Sequence, residues 1–151
     1  MTPNNKAVIV TGAASGIGLA MTLALLKAGH DVTAVDRNDL ALAKLAKQAI
    51  DLRGALNPIT ADLAQADTFA HVAGSALIKF GRIDVLVNNA GIGQASVRAS
   101  QRTVPIRFWE TTAEQWARFI AVNAAAPINM ARAVLPSMLA AKQGRIITVT
   151  T

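Results

Sequence analysis

Short apolar runs alternate with longer stretches of helical periodicity along this chain. Most of the short runs lack a polar face, which is typical of parallel strands that are buried on both sides. Strands are predicted at Ala7–Thr11, Val32–Val35, Ala55–Thr60, Val85–Val87 and Ile146–Val149. Helices are predicted at Gly16–Ala28, Leu40–Leu52 and Ala64–Phe80, and a longer helix runs from a cap at Thr111 or Thr112 to a stop at Gly144.

This alternation predicts an α/β protein with one doubly wound parallel sheet of the Rossmann type, covered by helices on both faces. Right-handed crossovers give the strand order 3-2-1-4-5, and Pro58 favours an edge position for the third strand. We assign residues 1–151 to this single domain. Ligands of such sheets bind at the carboxyl ends of the strands, beside the switch point between strands 1 and 4.

Apolar residues are predicted to form a stripe along one face of two of the helices. They comprise Ile17, Ala20, Met21, Ala24 and Leu25 in the first helix, and Trp116, Phe119, Ile120, Met130, Val134, Leu135 and Met138 in the long helix. The second helix is expected to be capped by Asn38 or Asp39.

The first strand runs into the segment Thr11-Gly12-Ala13-Ala14-Ser15-Gly16-Ile17-Gly18, where a helix begins. A glycine turn that opens a helix presents backbone N–H groups and the positive end of the helix dipole to an anion. Glycine is needed there because a Cβ would block the approach of a pyrophosphate. The spacing alone is a modest signal, but a strand before it and a helix after it indicate a dinucleotide site.

Asp36 closes the second strand, where a carboxylate can accept hydrogen bonds from ribose hydroxyl groups. A 2′-phosphate would meet like charge there, so NAD is favoured over NADP as the cofactor. Arg37 complicates this assignment because it could hold a phosphate. The alternative interpretation of Asp36 is a turn or helix-capping aspartate.

Asn123 lies in the long helix, and Pro127 follows four positions later. Because proline has no N–H, the Asn123 carbonyl loses its usual intrahelical partner, and the helix is expected to kink. The freed carbonyl must find another donor, most easily a water. The alternative is an incidental kink in a long helix.

Composition excludes several classes of protein. Hydrophobic residues make up 52% of the chain and charged residues 16%, there is no cysteine, and the formal net charge is +6. The basic residues are scattered and the aromatic residues few, so we expect no nucleic-acid partner. No unbroken apolar run reaches membrane-spanning length and no signal peptide is recognisable, so we expect no membrane partner and a cytoplasmic location. We assign no metal site, and His30 and His71 are taken as structural residues.

Between Gly91 and Glu110 neither the strand nor the helix pattern of apolar residues continues. An irregular segment of this length usually indicates a functional or mobile loop. Arg98, Arg102 and Arg107 lie in it. They either contact an anionic substrate or a neighbouring subunit, or belong to a solvated loop.

Taken together, the glycine segment, Asp62-Leu63, Asn88-Asn89-Ala90-Gly91, Asn123 and Gly144-Arg145-Ile146-Ile147-Thr148-Val149 resemble the motifs of the short-chain dehydrogenase/reductase family over essentially the whole chain. The resemblance implies an NAD(P)-dependent oxidoreductase acting on a small alcohol or carbonyl substrate, in a homo-oligomer. It implies pyrophosphate binding at Thr11, Gly12, Ala14, Ser15, Gly16, Ile17 and Gly18, and adenosine-side contacts at Asp36, Arg37, Asp62, Leu63, Asn89, Ala90 and Gly91. It also implies that the Asn123 backbone holds a water in a proton relay. Without the resemblance, Asp62 is a helix N-cap and the asparagine pair is an ordinary turn.

The resemblance also implies a serine after the fifth strand, then a tyrosine and a lysine that act as the acid/base pair. The serine position falls on Thr151, whose hydroxyl could serve, and the sequence contains no tyrosine. We therefore expect this chain to lack the acid/base half and the last strands of the family fold, and to be inactive alone. The chain is interpreted as a fragment of a longer enzyme, because an independent domain would protect the apolar edge at Ile146–Val149. The alternatives are a natural short form and a non-catalytic dinucleotide sensor or interaction module on the same fold.

Overall fold

The computed structural model describes residues 5–150. Strands and helices alternate along these residues as the hydrophobic pattern predicts. The strands are β1 (Ala7–Thr11), β2 (Asp31–Asp36), β3 (Leu56–Thr60), β4 (Val85–Asn88) and β5 (Arg145–Thr148). The helices are α1 (Gly16–Ala28), α2 (Asp39–Gln48), α3 (Thr68–Phe80), α4 (Ala113–Ile120) and α5 (Ala126–Ala140), with a π-helical turn at Ala121–Ala125 between the last two.

All strand pairs are parallel, and the sheet order is β3-β2-β1-β4-β5, as predicted. β1 lies at the centre, and Pro58 lies in the edge strand β3, where a missing N–H costs little. Because β1 and β4 are neighbours although they are distant in sequence, the chain reverses its winding between them. This is the switch point at which Rossmann-type sheets bind ligands.

Two hydrophobic layers cover the sheet, one on each face. Val8 and Val10 of β1 face the layer formed with α1 and α2, and Ile9 faces the layer formed with α3 and α5. This alternation follows from the two-residue period of a strand. A central strand is therefore buried at every position, as β1 is from Ala7 to Thr11.

The apolar face predicted for α1 is only partly the buried one. Met21 and Leu25 pack half-buried against the core, but Ile17 is 65% exposed and Ala20 and Ala24 are also exposed. The fully buried residues are Gly18, Thr22 and Leu26. The helix is apolar nearly all round, so periodicity could not fix its phase. The phase is set instead by the need for a residue without Cβ where α1 approaches the loop after β1.

Two helices are also shorter than predicted. The second helix ends at Gln48 rather than Leu52, although Asn38 caps it as expected by accepting a hydrogen bond from the amide of Ala41. The third helix begins at Thr68 rather than Ala64. The residues before it form turns, in which the Thr68 hydroxyl donates to the carbonyl of Asp62. Asp62 is thus not the N-cap of this helix.

The kink predicted around Asn123 and Pro127 appears as the π-helical turn, which the amide of Ala126 closes on the carbonyl of Ala121. Beyond the turn Met130, Val134 and Met138 are buried as predicted, whereas Trp116, Ile120 and Leu135 remain exposed. The extra residue in the turn rotates α4 relative to α5, so one straight stripe cannot describe both helices.

Within residues 5–150, the helical stretch Ala113–Ala140, 28 residues long, is long and apolar enough to cross a membrane by length and composition alone. The prediction from the sequence was based on unbroken apolar runs. This stretch contains none of that length, so it was not recognised there. Met130 and Val134 of this stretch are fully buried in the layer that covers the sheet. The α5 part of the stretch therefore belongs to the helical layer of the fold.

Candidate active site

A cleft with a volume of about 180 Å³ opens at the carboxyl ends of β1 to β4. Eight of the predicted cofactor residues line it: Gly12, Ser15, Asp36, Arg37, Asp62, Leu63, Ala90 and Gly91. A larger recess of about 520 Å³ lies beside it and is lined by Ile17, Asn89 and Asn123 together with Thr148–Thr150. Thr11, Ala14, Gly16 and Gly18 line neither space. Four of the five strands thus bring residues that are distant in sequence to one place.

The glycine loop has the backbone that the sequence predicts. Gly12 and Gly16 adopt positive φ angles of 63° and 51°, which other residues rarely adopt. A Cβ on Gly18 would lie 2.0 Å from the carbonyl oxygen of Gly12, so this glycine permits the close packing of α1 against the loop. A Cβ on Gly16, in contrast, would meet no atom within 4 Å.

The N-terminus of α1 is open. The Ser15 side chain makes no capping hydrogen bond, and within residues 5–150 no protein acceptor pairs with the amides of Gly16, Ile17 and Gly18. These amides, with the helix dipole behind them, are suited to an anion. The open space at Gly16 gives a phosphate room to approach them, so the residues present fit the pyrophosphate of a dinucleotide.

Thr11 and Asn89 join the ends of β1 and β4. The Thr11 hydroxyl accepts hydrogen bonds from the amides of Asn89 (3.1 Å) and Ala90 (3.0 Å). The Asn89 side chain in turn donates to the carbonyls of Thr11 (3.1 Å) and Gly12 (3.3 Å). Both residues therefore fix the shape of the glycine loop from behind. Asn89 also lines the recess, so its predicted contact with the cofactor stays a prediction.

Asp36 also holds the loop in place. Its carboxylate accepts from the amide of Ala14 (3.0 Å) and from the amide of Asn38 (3.0 Å). It is thus a turn aspartate, as the alternative interpretation holds, and it lines the cleft at the same time. A carboxylate has about four acceptor positions, so these two bonds leave capacity for a ligand hydroxyl.

Asp62 meets a residue that sequence reasoning missed, Arg118 of α4. A guanidinium nitrogen of Arg118 lies 3.0 Å from a carboxylate oxygen of Asp62, and both residues line the cleft. The amide of Ala64 donates to the other carboxylate oxygen at 3.0 Å. That backbone hydrogen bond, together with Arg118 and a smaller contribution from the Arg37 charge, lowers the pKa of Asp62 below its ordinary value and outweighs partial burial.

The structure shows an unpredicted role for the Asn123 side chain. It accepts from the amide of Ile92 (2.8 Å) and donates to the carbonyl of Ile92 (2.9 Å). This reciprocal pair fixes the chain just after Gly91, between the cleft and the recess. The expectation that the Asn123 carbonyl holds a water stays a prediction, and Thr151 lies outside the described residues.

The segment after Gly91 is irregular except for two short 3₁₀ turns at Gln94–Ser96 and Phe108–Glu110. Arg98 lies 3.3 Å from the carboxylate of Glu110 and also donates to the carbonyls of Val104 and Pro105. The guanidinium of Arg107 lies 5.6 Å from the centre of the Trp109 ring. Arg98 therefore organises the loop internally.

Within residues 5–150 no group of three metal-ligating side chains occurs.

Comparisons with known proteins agree with this geometry. The sequence profile described as short chain dehydrogenase matches residues 6–151. A 3-oxoacyl-[acyl-carrier-protein] reductase of Thermotoga maritima is 35% identical over 150 residues, which are 99% of this chain and 57% of the reductase. The chain spans about half the length of the curated relatives it matches.

Solved structures give the same result. A metagenomic short-chain oxidoreductase in complex with NADP is 33% identical with a TM-score of 0.85, and the match covers 97% of this chain and 62% of that one. A 7α-hydroxysteroid dehydrogenase complexed with NADH and 7-oxo glycochenodeoxycholic acid is 27% identical with a TM-score of 0.85, covering 98% and 54%. Sequence profile, relatives and fold therefore agree, and the chain belongs to the short-chain dehydrogenase/reductase family.

Proposed function

We propose that the glycine loop and the cleft bind a nicotinamide dinucleotide. The observation that carries the proposal is the open N-terminus of α1, where three amides without protein acceptors lie beside the empty space at Gly16. The pyrophosphate would lie on these amides, and the adenosine end would lie in the cleft between Asp36, Asp62 and Gly91. The metagenomic oxidoreductase structure contains NADP and the 7α-hydroxysteroid dehydrogenase structure contains NADH, which supports the cofactor class.

Replacement of Gly16 by valine tests this site. Valine would fill the space that a phosphate needs, so NAD binding measured by calorimetry should disappear. Gly81→Val is the matched control because Gly81 also has a positive φ, 73°, and open surroundings, but it ends α3 and lies outside the cleft. Both variants carry the same kind of backbone strain. Equal NAD affinity in Gly16→Val and Gly81→Val would refute the proposed site.

For the choice between the two cofactors we propose NAD over NADP. Asp36 brings negative charge to the cleft, and a 2′-phosphate beside it would be repelled. Arg37 lines the same cleft and opposes this effect. Asp36→Ala should narrow the ratio of NAD to NADP affinity, whereas Asp39→Ala, in the first turn of α2, should leave it unchanged. An unchanged ratio in Asp36→Ala would mean that Arg37 or another group sets the preference.

In the whole protein we propose reversible hydride transfer between the cofactor and an alcohol or carbonyl substrate. A bound nicotinamide dinucleotide supplies or accepts the hydride at its nicotinamide carbon 4. Residues of this chain would orient the cofactor. The backbone amides at the start of α1 would bind its pyrophosphate, and the Asn123 side chain fixes the backbone of Ile92 at the border of the recess. The recess that ends at Thr148–Thr150 is where we place the substrate.

The transfer also needs a proton donor, because the substrate oxygen becomes an alkoxide as hydride arrives. The sequence contains no tyrosine, so we propose that these 151 residues alone bind the cofactor without turnover. The same absence favours the second candidate, a non-catalytic dinucleotide-binding module. NADH formation by the 151-residue chain with a panel of alcohols would overturn the expectation of inactivity.

We also propose self-association through the outer face of α5. Ile128 (63% exposed) and Leu139 (71% exposed) carry apolar surface on this face. Light scattering should give a mass above that of the monomer, and Ile128→Asp should lower it. A monomeric wild-type chain would refute the proposal.

A further inference from the structure

A third hollow lies between the irregular loop and the first turns of α4, and it shares no lining residue with the cleft or the recess. We call it the aromatic pocket. Its volume is about 370 Å³, within the range of about 300 to 1,000 Å³ that is typical of small-molecule sites. Most of its lining residues are apolar: Val97, Ile106, Phe108, Trp116 and Phe119. The pocket is therefore suited to the apolar body of a small ligand.

The aromatic side chains of this pocket hold one another in a fixed arrangement. The indole N–H of Trp116 donates to the hydroxyl of Thr111 at 2.9 Å, and that hydroxyl donates to the carbonyl of Phe108 at 2.7 Å. The Trp116 ring lies 6.2 Å from the ring of Phe108 and 6.1 Å from that of Phe119, with interplanar angles of 58° and 48°. Tilted rings at these distances attract one another, so the wall is formed before a ligand arrives. It nevertheless faces solvent, since Phe108 is 76% exposed and Trp116 47%.

Arg107 is the one charged residue among the described residues that line the aromatic pocket. It forms no salt bridge within residues 5–150. The carboxylate of Glu110 instead binds the Arg98 side chain at 3.3 Å and the backbone amide of Arg107 at 2.9 Å. The Arg107 guanidinium therefore keeps its N–H donors for an anion from outside the protein, and the amide of Gln94 in the same lining adds further donors.

We propose that the aromatic pocket binds a carboxylate with a flat apolar body, and that Arg107 binds the carboxylate group. The rings would contact the apolar body, and a guanidinium binds a carboxylate through two parallel hydrogen bonds. A single cation matches a singly charged group better than a phosphate, which carries more charge. The proposal goes beyond the dinucleotide function and does not rest on it, because none of the proposed cofactor residues lines this pocket.

Calorimetry on the 151-residue chain tests the proposal with three probes that share one biphenyl body and differ in charge. The anion para-phenylbenzoate should bind about tenfold more tightly than the neutral para-phenylbenzamide, which corresponds to about 1.4 kcal/mol. The cation para-phenylbenzylammonium should bind more weakly than the amide. In Arg107→Gln the affinity for the anion should fall to that for the amide. Arg102→Gln is the matched control, because it removes the same charge from an exposed residue of the same loop that does not line the pocket.

The chain's two tryptophans show where the probe binds, since Trp116 lines the pocket and Trp109 lies beside Arg107. The indole N–H signal of Trp116 in an NMR spectrum, assigned with Trp116→Phe, should move when the anion is added to the wild type or to Arg102→Gln. Absent binding of the anion, equal binding of anion and amide, or binding that leaves this signal in place overturns the proposal. A Trp116 signal that moves with protein concentration alone also overturns it and assigns the pocket to a second copy of the chain.

A second variant keeps the test decisive if Arg107→Gln does not fold. Val97 is half-buried in the lining, so Val97→Asp places a carboxylate inside the pocket. This variant should bind the ammonium probe more tightly than the anion, which reverses the order in the wild type. An unchanged order in Val97→Asp would show that the probes bind elsewhere. Failure of NAD to bind would refute the proposed function and leave these results unaffected.

Discussion

β1 and β5 have the same kind of sequence and opposite environments. Each is a short parallel strand that contains isoleucine, yet every residue of β1 is buried and every residue of β5 is exposed. β1 lies between two strands with helices on both faces, whereas β5 is an edge strand paired on one side with β4. Burial is therefore a property of the position in the sheet, and residue type alone does not reveal it.

The same contrast separates the two parts of the candidate site. The cleft beside β1 is enclosed by residues of four strands and α4, which hydrogen bonds tie to one another. The recess beside β5 ends at Thr148–Thr150, which are exposed. The cleft proposed for the cofactor is thus the part of the candidate site that hydrogen bonds between distant residues organise, whereas the recess proposed for the substrate is bordered by the exposed end of β5.

The largest expected effect is on the contact between α1 and the loop after β1. In Gly18→Ala the added Cβ would lie 2.0 Å from the Gly12 carbonyl oxygen, and backbone on both sides leaves no easy adjustment. We expect a loss of unfolding free energy above about 3 kcal/mol, or failure to fold. Gly74→Ala is the control, because it lies inside α3 with no atom within 4 Å and should stabilise by about 0.5 kcal/mol. Urea unfolding of both variants measures the difference, and a mild effect of Gly18→Ala would contradict the packing described here.

The difference in burial between the two strands can be measured by replacing one isoleucine in each strand with alanine. Ile9 of β1 is 1% exposed, and Ile147 of β5 is 43% exposed. Ile9→Ala should lower the free energy of unfolding by about 3 kcal/mol, and Ile147→Ala by about 1 kcal/mol or less. Equal losses would mean that β5 is covered in solution, for instance by a second copy of the chain.

Part of this architecture could be predicted from the sequence because its signals are local. The strand alternation, the glycine turn, the edge proline and the irregularity at Asn123 each follow from neighbouring residues. The buried face of α1 could not be predicted fully, because apolar residues occur on nearly all sides of that helix. The pair of Asp62 and Arg118 and the pair of Asn123 and Ile92 join residues far apart in sequence, and no local pattern marks such contacts. The only available signal for Arg118 was a cation on a helix near the asparagine motif.

Acid should weaken the wall of the cleft through Asp62. Because hydrogen bonds from Ala64 and Arg118 lower its pKa below 3.8 in the folded state, Asp62 contributes stability above pH 3.8. This contribution is lost as the pH falls through the lowered folded pKa. Asp62→Asn should therefore be less stable than the wild type at pH 6, by about 1 kcal/mol or less because the ion pair is partly exposed to solvent, and the gap should shrink by pH 3. Urea unfolding at the two pH values checks this, and a gap that widens in acid would contradict the assigned direction.

The smallest effect concerns the turn that leads from α5 into β5. Lys142 has a φ of 53°, the only positive value outside glycine among the described residues. The amides of Lys142 and Gln143 close the end of α5 on the carbonyls of Leu139 and Met138, in the arrangement that usually places glycine at this position. Lys142→Gly removes a backbone penalty of about 1 kcal/mol but adds freedom to the unfolded chain, so we expect a net gain of about 0.5 kcal/mol.

Lys142→Ala separates the causes, because it removes the long side chain and keeps the Cβ. If the left-handed backbone is what costs free energy, only the glycine variant should raise the urea midpoint at an unchanged slope. A gain in Lys142→Ala as large as in Lys142→Gly would assign the effect to the lysine side chain. The turn is exposed, as is β5, which follows it. The strained backbone of Lys142 at this exposed edge is therefore expected to cost much less unfolding free energy than the added methyl group of Gly18→Ala beside the central strand.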